Sequence, residues 1–141
     1  MRISIFAYTA ILGSLNRLLG VREVMFTIKE ISAGELGQQL VTKRRRLRLI
    51  DIRTPAETSQ GIIPGAELIP MHLIPLHIEH WHSEKRTIVV YCRSGLRSAQ
   101  LCAFLAARGD DMDVVNLRGG IMDWARAGQA LGFPGQAVAV G

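Results

Sequence analysis

The hydrophobic and polar positions of the 141-residue chain fall into short apolar runs that alternate with stretches of helical spacing. Phe26-Thr27-Ile28-Lys29-Glu30-Ile31 predicts a short edge strand or an extended entry to the domain. Ser32 with Glu35 matches a capping box, and Leu36 and Leu40, one turn apart, predict a short helix ending near Lys43. Leu47-Arg48-Leu49-Ile50-Asp51-Ile52 predicts a strand, and Thr54-Pro55 a turn into one helical turn carrying Glu57. Leu68 and Ile69 predict a brief strand, and Ile88-Val89-Val90-Tyr91 a β-branched strand covered on both faces. From Ser98 the spacing of Leu101, Phe104, Leu105 and Arg108 is helical, and Gly109-Asp110-Asp111 stops it. Residues 113–117 predict a further strand, Arg118-Gly119-Gly120 a turn, and residues 121–127 a short helix closed by Gly128.

Five strands alternating with helices predict an α/β fold, a mostly parallel sheet with right-handed crossovers and helices on both faces. Ligands of such sheets sit beyond the carboxyl ends of the strands. Three motifs converge on that edge: Asp51-Ile52-Arg53, Cys92, and Leu117-Arg118-Gly119-Gly120.

Both ends of the chain read differently. In residues 1–24, Ile5, Tyr8, Ile11, Leu12, Leu15, Leu18 and Leu19 recur at helical spacing. The uncharged stretch 3–15 is too short for a bilayer span, which needs about 20 apolar residues, and no small-x-small cleavage site follows it. Three readings stand: a docking helix, a membrane-surface helix, or an extension ahead of a start at Met25. The organisation expected is therefore an N-terminal extension over 1–24, one domain over 25–130 and a tail over 131–141 that adds little.

Composition narrows the chemistry. With 48% hydrophobic and 21% charged residues, the chain can bury a core without staples. Its two cysteines form neither a disulfide framework nor a metal pattern, and a free reactive thiol suits the cytoplasm. Cys102, on the predicted helix, reads as core packing. The formal net charge of +5 attracts anions without naming a partner. Lys43-Arg44-Arg45-Arg46 reads as a solvated connection, with a docking patch for an acidic partner second, and no nucleic-acid signature accompanies it. His72, His77, His80 and His82 do not share one helical face, so solvent-facing histidines on a short helix and loop outrank a metal site.

The candidate chemistry lies in Tyr91-Cys92-Arg93-Ser94-Gly95-Leu96-Arg97-Ser98. A cysteine between a strand and a helix faces unpaired amides and the positive end of the helix dipole. Arg93 and Arg97 add full charge. A free thiol titrates near ~8.5, so these groups favour its thiolate. The competing reading, a buried structural cysteine, leaves the two arginines without a purpose.

These residues carry a resemblance. Asp51-Ile52-Arg53 with Glu57, Ile63-Pro64-Gly65-Ala66 after Gly61, Ile69-Pro70, the cysteine loop, and Arg118-Gly119-Gly120 with Trp124 and Gly128 together resemble a single-domain rhodanese, a sulfurtransferase. The resemblance implies the rhodanese fold with a five-stranded central sheet and needs neither cofactor nor metal. It implies that Cys92 takes a sulfane sulfur from an anionic donor such as thiosulfate and passes it to a thiol, cyanide or a sulfur-carrier protein. Arg93, Ser94, Gly95, Leu96 and Arg97 would bind substrate, with Arg93 and Arg97 attracting the anionic donor. Asp51, Arg53 and Glu57 would support them as scaffold, and Trp124 would lie in the core. Three positions depart from the family: Ile62 replaces its usual histidine, Thr58 a common aromatic, and Leu68 a frequent asparagine or histidine. A phosphatase or arsenate reductase would need a loop one residue longer than the four residues between Cys92 and Arg97. A sulfur-relay or interaction module with little small-molecule turnover is the alternative from another class.

Overall fold

The computed structural model describes residues 1–8 and 24–136. Strands β1 (Arg2–Tyr8), β2 (Val24–Ile31), β3 (Leu47–Asp51), β4 (Glu67–Leu68), β5 (Thr87–Tyr91) and β6 (Val114–Leu117) form one six-stranded sheet in the order β1-β2-β6-β5-β3-β4. Five of them run parallel, as the alternation predicts, and β1 adds antiparallel to β2. The helices are α1 (Ala33–Thr42), α2 (Pro55–Thr58), α3 (Ile78–Trp81), α4 (Leu96–Ala107) and α5 (Gly120–Arg126), with 3-10 turns at Arg44–Arg46 and Met71–Leu76.

The period of two along the strands sorts side chains between two cores, one on each face of the sheet. On β5, Ile88, Val90 and then Cys92 enter the core beneath α4, with Ile50, Ile52, Trp81, Leu101, Cys102 and Leu105. Val89 and Tyr91 enter the other, with Leu36 of α1, Leu49, Leu117, and Ile121 and Trp124 of α5. Both faces of the central strands are thus covered, the physical reason for their unbroken apolar runs. The core under α4 also holds a buried polar pair, Asn116 Nδ2 donating to Glu30 Oε2 at 2.9 Å. Cys102 lies in the same core, its thiol pushed up to about 12 by burial, with Glu30 adding to the shift. It is core packing.

Three expectations change. The N-terminal segment is a strand over Arg2–Tyr8, not the first part of an amphipathic helix. Arg2 pairs with Glu30 and Tyr8 with Val24, and an extended segment meets β2's otherwise unpaired backbone groups in a way that helical spacing of its apolar residues does not anticipate. The rest of that call, from residue 9 to residue 23, lies outside the described residues. Consequently β2 is not an edge strand but sits between β1 and β6. Finally, the stretch after Ala130 is not idle. Ile62 and Gly132 exchange two backbone hydrogen bonds, at 2.9 and 2.8 Å, and the Trp124 indole N–H donates to the Ala130 carbonyl at 2.8 Å. Among the described residues, none of the helices is long and apolar enough to cross a membrane.

The tail's pairing has a measurable weight. Gly132→Pro removes the N–H that donates to Ile62 and should lower the unfolding free energy by roughly 1–3 kcal/mol, the cost of orphaning a buried acceptor. Denaturant unfolding checks it, and an unchanged midpoint would mean that the tail merely lies alongside.

Candidate active site

The site forms where β5 ends. Cys92 follows the last residue of β5, and four residues later α4 begins at Leu96. Gly95 caps that helix in the left-handed region, with φ 89°. Its own N–H donates to Cys92 Sγ at 3.1 Å, and Ser98 Oγ lies 3.5 Å from the same sulfur. Leu96, Arg97 and Ser98 form the first helical turn, whose amides have no partner within the helix. The sulfur therefore sits at a helix amino terminus, with the dipole's positive end toward it.

The loop is held in this shape from behind. Ile121 N–H donates to the Cys92 carbonyl at 3.0 Å and Met122 N–H to the Arg93 carbonyl at 3.1 Å. The unsatisfied amides of α5 thus draw two carbonyls of the loop away from the sulfur. Only glycine serves at position 120: its φ is 59°, and a Cβ would overlap the carbonyl oxygens of Cys92 and Arg93. The Arg118-Gly119-Gly120 motif earns its place by this contact, although none of its side chains reaches the sulfur.

The two arginines of the loop have different fates. Arg97 is gripped by Glu57 in a two-pronged ion pair, Nη2 to Oε1 at 2.6 Å and Nη1 to Oε2 at 3.0 Å. Glu57 also completes the capping box of α2, accepting from the Thr54 N–H at 3.0 Å. The Arg97 guanidinium, followed by the Thr54 contacts, holds the Glu57 carboxyl down at about 2. Arg97 is raised in turn, chiefly by Glu57, with the neighbouring Cys92 contributing. Arg93 is exposed and has no carboxylate partner among the described residues. Of the two, Arg93 is the cation open to an incoming anion, and Arg97 is a fixed charge.

Asp51 and Arg53 support the site without touching the sulfur. Both are buried, and the Arg53 guanidinium meets Asp51 Oδ2 at 2.7 Å and the Gly61 carbonyl at 2.7 Å. Burial opposes the charge on Arg53, but Asp51 outweighs it and the guanidinium is raised. Tyr91 is buried beside them; its hydroxyl accepts from the Ile63 N–H at 3.0 Å, and burial pushes its phenol up. This lattice ties β3, β5 and the segment 61–63 together behind the loop. Ser94 and Leu96 face solvent, Leu96 at 57% exposure. Ile62, in place of the family's usual histidine, is buried and contributes only its backbone pairing with Gly132. Thr58 is buried with its hydroxyl on the Pro55 carbonyl, while Leu68 lies on the surface.

Sequence reasoning missed Ser98. It was legible as a polar residue on the same helical stripe as Leu101, Cys102 and Leu105, a position that buries a hydroxyl only where it has a partner. The histidine segment is the two short turns Met71–Leu76 and Ile78–Trp81, in which Trp81 and Ile74 are buried. Among the described residues, no group of three or more His, Cys, Asp or Glu side chains could hold a metal ion.

A parallel α/β sheet that presents one cysteine in a short loop between a buried strand and a helix, at the carboxyl ends of the strands where ligands of such sheets bind, defines a class of single-cysteine α/β domains. Within that class, the rhodanese-like domain profile matches residues 32–127. The chain belongs to the rhodanese-like domain family. It is 48% identical over 107 residues to a sulfurtransferase of Allochromatium vinosum, covering 76% of this chain and 97% of that one. It is 38% identical over 97 residues to the putative sulfurtransferase YtwF of Bacillus subtilis, covering 69% and 90%. Among solved structures, a rhodanese-like domain protein of Staphylococcus aureus superposes with a TM-score of 0.61 at 32% identity, covering 79% of this chain and 98% of that one.

Two outcomes follow from the geometry. Gly120→Ala should detach the loop from α5, lowering stability by about 2 kcal/mol or more as the Cβ displaces backbone carbonyls; a wild-type melting temperature would remove α5 as the loop's anchor. Glu57 is depressed in the folded state, so its contribution is complete above its unfolded value near ~4.3 and is lost as pH falls toward about 2. The stability advantage of the wild type over Glu57→Gln should therefore be full at pH 6 and shrink steadily below pH ~4.3. Paired thermal melts across that range check it, and a constant difference would separate Glu57 from the ion pair.

Proposed function

We propose that this protein is a sulfurtransferase working through a persulfide on Cys92. The observation that carries the reading is the sulfur at the head of α4, taking a hydrogen bond from Gly95 with the Arg97 charge locked nearby. Its sequence similarity to sulfurtransferases supports the same activity.

With thiosulfate as donor, the Cys92 thiolate attacks the outer, sulfane sulfur. A sulfur–sulfur bond forms to Cys92, the bond to the sulfonate sulfur breaks, and sulfite departs with the electron pair. The product is a Cys92 persulfide carrying one negative charge on its terminal sulfur, so charge balances across the step. Donors fixed before the reaction stabilise that charge without reorganising, the logic of an oxyanion hole applied to sulfur. Gly95 and the free amides of the first turn of α4 supply them. Arg93 draws the dianion in and screens the sulfite as it leaves. An acceptor thiolate or cyanide then attacks the terminal sulfur, and the electron pair returns to Cys92 as thiolate. A loop that closes on a single sulfur, with its arginine already held by Glu57, favours this chemistry over phosphate-ester hydrolysis, which needs a wider cradle and a free guanidinium. A relay between proteins is the second reading, favoured by Leu96 standing exposed at the mouth of the loop.

Intact-mass measurement after thiosulfate treatment should show one added sulfur on the wild type and none on Cys92→Ser. No gain with any sulfane donor would overturn the mechanism. Arg93→Ala should raise the KM for thiosulfate about ten-fold or more, as loss of one close charge on a dianion implies, and leave the melting temperature near wild type. An unchanged KM would exclude Arg93 from donor binding.

A further inference from the structure

The arginine run after α1 takes no part in the chemistry above, yet adjoining surface clefts lie between it and the cysteine loop. The first, of about 510 Å³, opens beside the loop between Arg93, Glu57, Met122 and Leu131. The second, of similar volume, shares Leu131 and is lined further on by Phe133, Pro64, Gly65 and Arg44. The third, about 740 Å³, shares Arg44, Pro64 and Gly65 and is also lined by Arg45, Val41 and Leu40. Leu131 and Arg44 thus stand where neighbouring clefts adjoin, and the three clefts in a row make a track from Arg93 to Arg45.

Its charges are not internally spent. Arg53, Arg48 and Arg86 along the walls are matched by Asp51, Glu67 and Glu84. Arg93, Arg44 and Arg45 have no carboxylate partner among the described residues. The Arg44 guanidinium lies against Gly65, in the space a side chain there would take, which brings its charge beside the track. Between the cations stand exposed apolar side chains: Leu131 and Phe133 at 50% and 54%, and Val41 at 86%.

We infer that this track docks an extended acidic segment of a partner protein, its carboxylates on Arg44 and Arg45, its apolar side chains on Leu131, Phe133 and Val41, and its end beside Arg93. The alternation of unpaired cations with mainly aliphatic patches suits a peptide, where single-stranded nucleic acid would call for a series of aromatic stacking surfaces. The inference rests on the reading of Cys92 as a sulfur donor to an acceptor, and makes that acceptor, or its escort, a protein with an acidic tail or loop.

The test uses the full chain and a fluorescein-labelled synthetic peptide of alternating aspartate and leucine, with fluorescence anisotropy at about 0.15 M salt, where nonspecific attraction is screened. Arg45→Glu should weaken binding ten-fold or more, and Leu131→Glu likewise. Arg108→Glu, at the end of α4 on the other face of the sheet, makes the same change in net charge away from the track and should stay within two-fold. Arg45 is exposed and unpaired, so its variant should fold, which circular dichroism checks for both variants. Equal losses for Arg45→Glu and Arg108→Glu would reduce the effect to net charge and overturn the proposal. So would tighter binding of single-stranded oligothymidylate that Leu131→Glu leaves unchanged. The assay needs no persulfide, and Cys92→Ser should bind the peptide like the wild type. A chain that binds peptide but never gains sulfur refutes the sulfur chemistry, whereas one that loads sulfur but ignores the peptide refutes the track.

Discussion

Two backbone hydrogen bonds, from the first amides of α5 to the carbonyls of Cys92 and Arg93, decide what the cysteine loop can be. A loop of this length has too few residues to choose its own conformation, and its peptide groups must each point somewhere. By taking two carbonyls, α5 turns their negative ends away from the sulfur and leaves donors on the sulfur's side. The arrangement requires close approach of two backbones, which explains why Gly120 and its left-handed neighbour Gly119 occur together. It also requires β6 to deliver α5 to the right height beside β5, which their parallel register does.

Around that contact the charges are arranged by depth. Deepest is Asp51–Arg53, fully buried and tied to backbone at Gly61, where a charged pair is tolerable only with its hydrogen bonds filled. Next is Glu57–Arg97, partly exposed, in which a helix-capping carboxylate also fixes the guanidinium that faces the cysteine. Outermost is Arg93, unpaired and exposed. The gradient runs from structure to function: the paired arginines cannot leave their partners cheaply, and the free one meets solvent anions first.

The surface continues the same division. Arginines on β3 and in the segment before β5 are neutralised by Glu67 and Glu84, whereas those following α1 keep their charge beside apolar side chains. The segment 131–136, anchored through Ile62 and Trp124, forms the wall between that basic region and the catalytic loop. A short stretch of chain thereby joins two surfaces that are far apart in sequence.

Much of this was legible in the amino-acid order because it is local. The β-branched run of β5, the helical spacing after Ser98, the cap of Ser32 on Glu35, and the four residues between Cys92 and Arg97 depend on neighbours a few positions away. Family resemblance extended that reading to the whole parallel sheet. Long-range pairing was not legible. That residues 2–8 are a strand depends on the free edge of β2, which overrides helical spacing. That Arg97 is ion-paired to Glu57, 40 positions away, is a property of two crossovers meeting at one sheet edge. The sequence by itself determined that one cysteine stands in a short loop between two arginines, ahead of a helix; only the tertiary structure decided which of those charges is paired with a carboxylate and which is left unpaired, because pairing across a fold is set by distance in space and not by order in the chain.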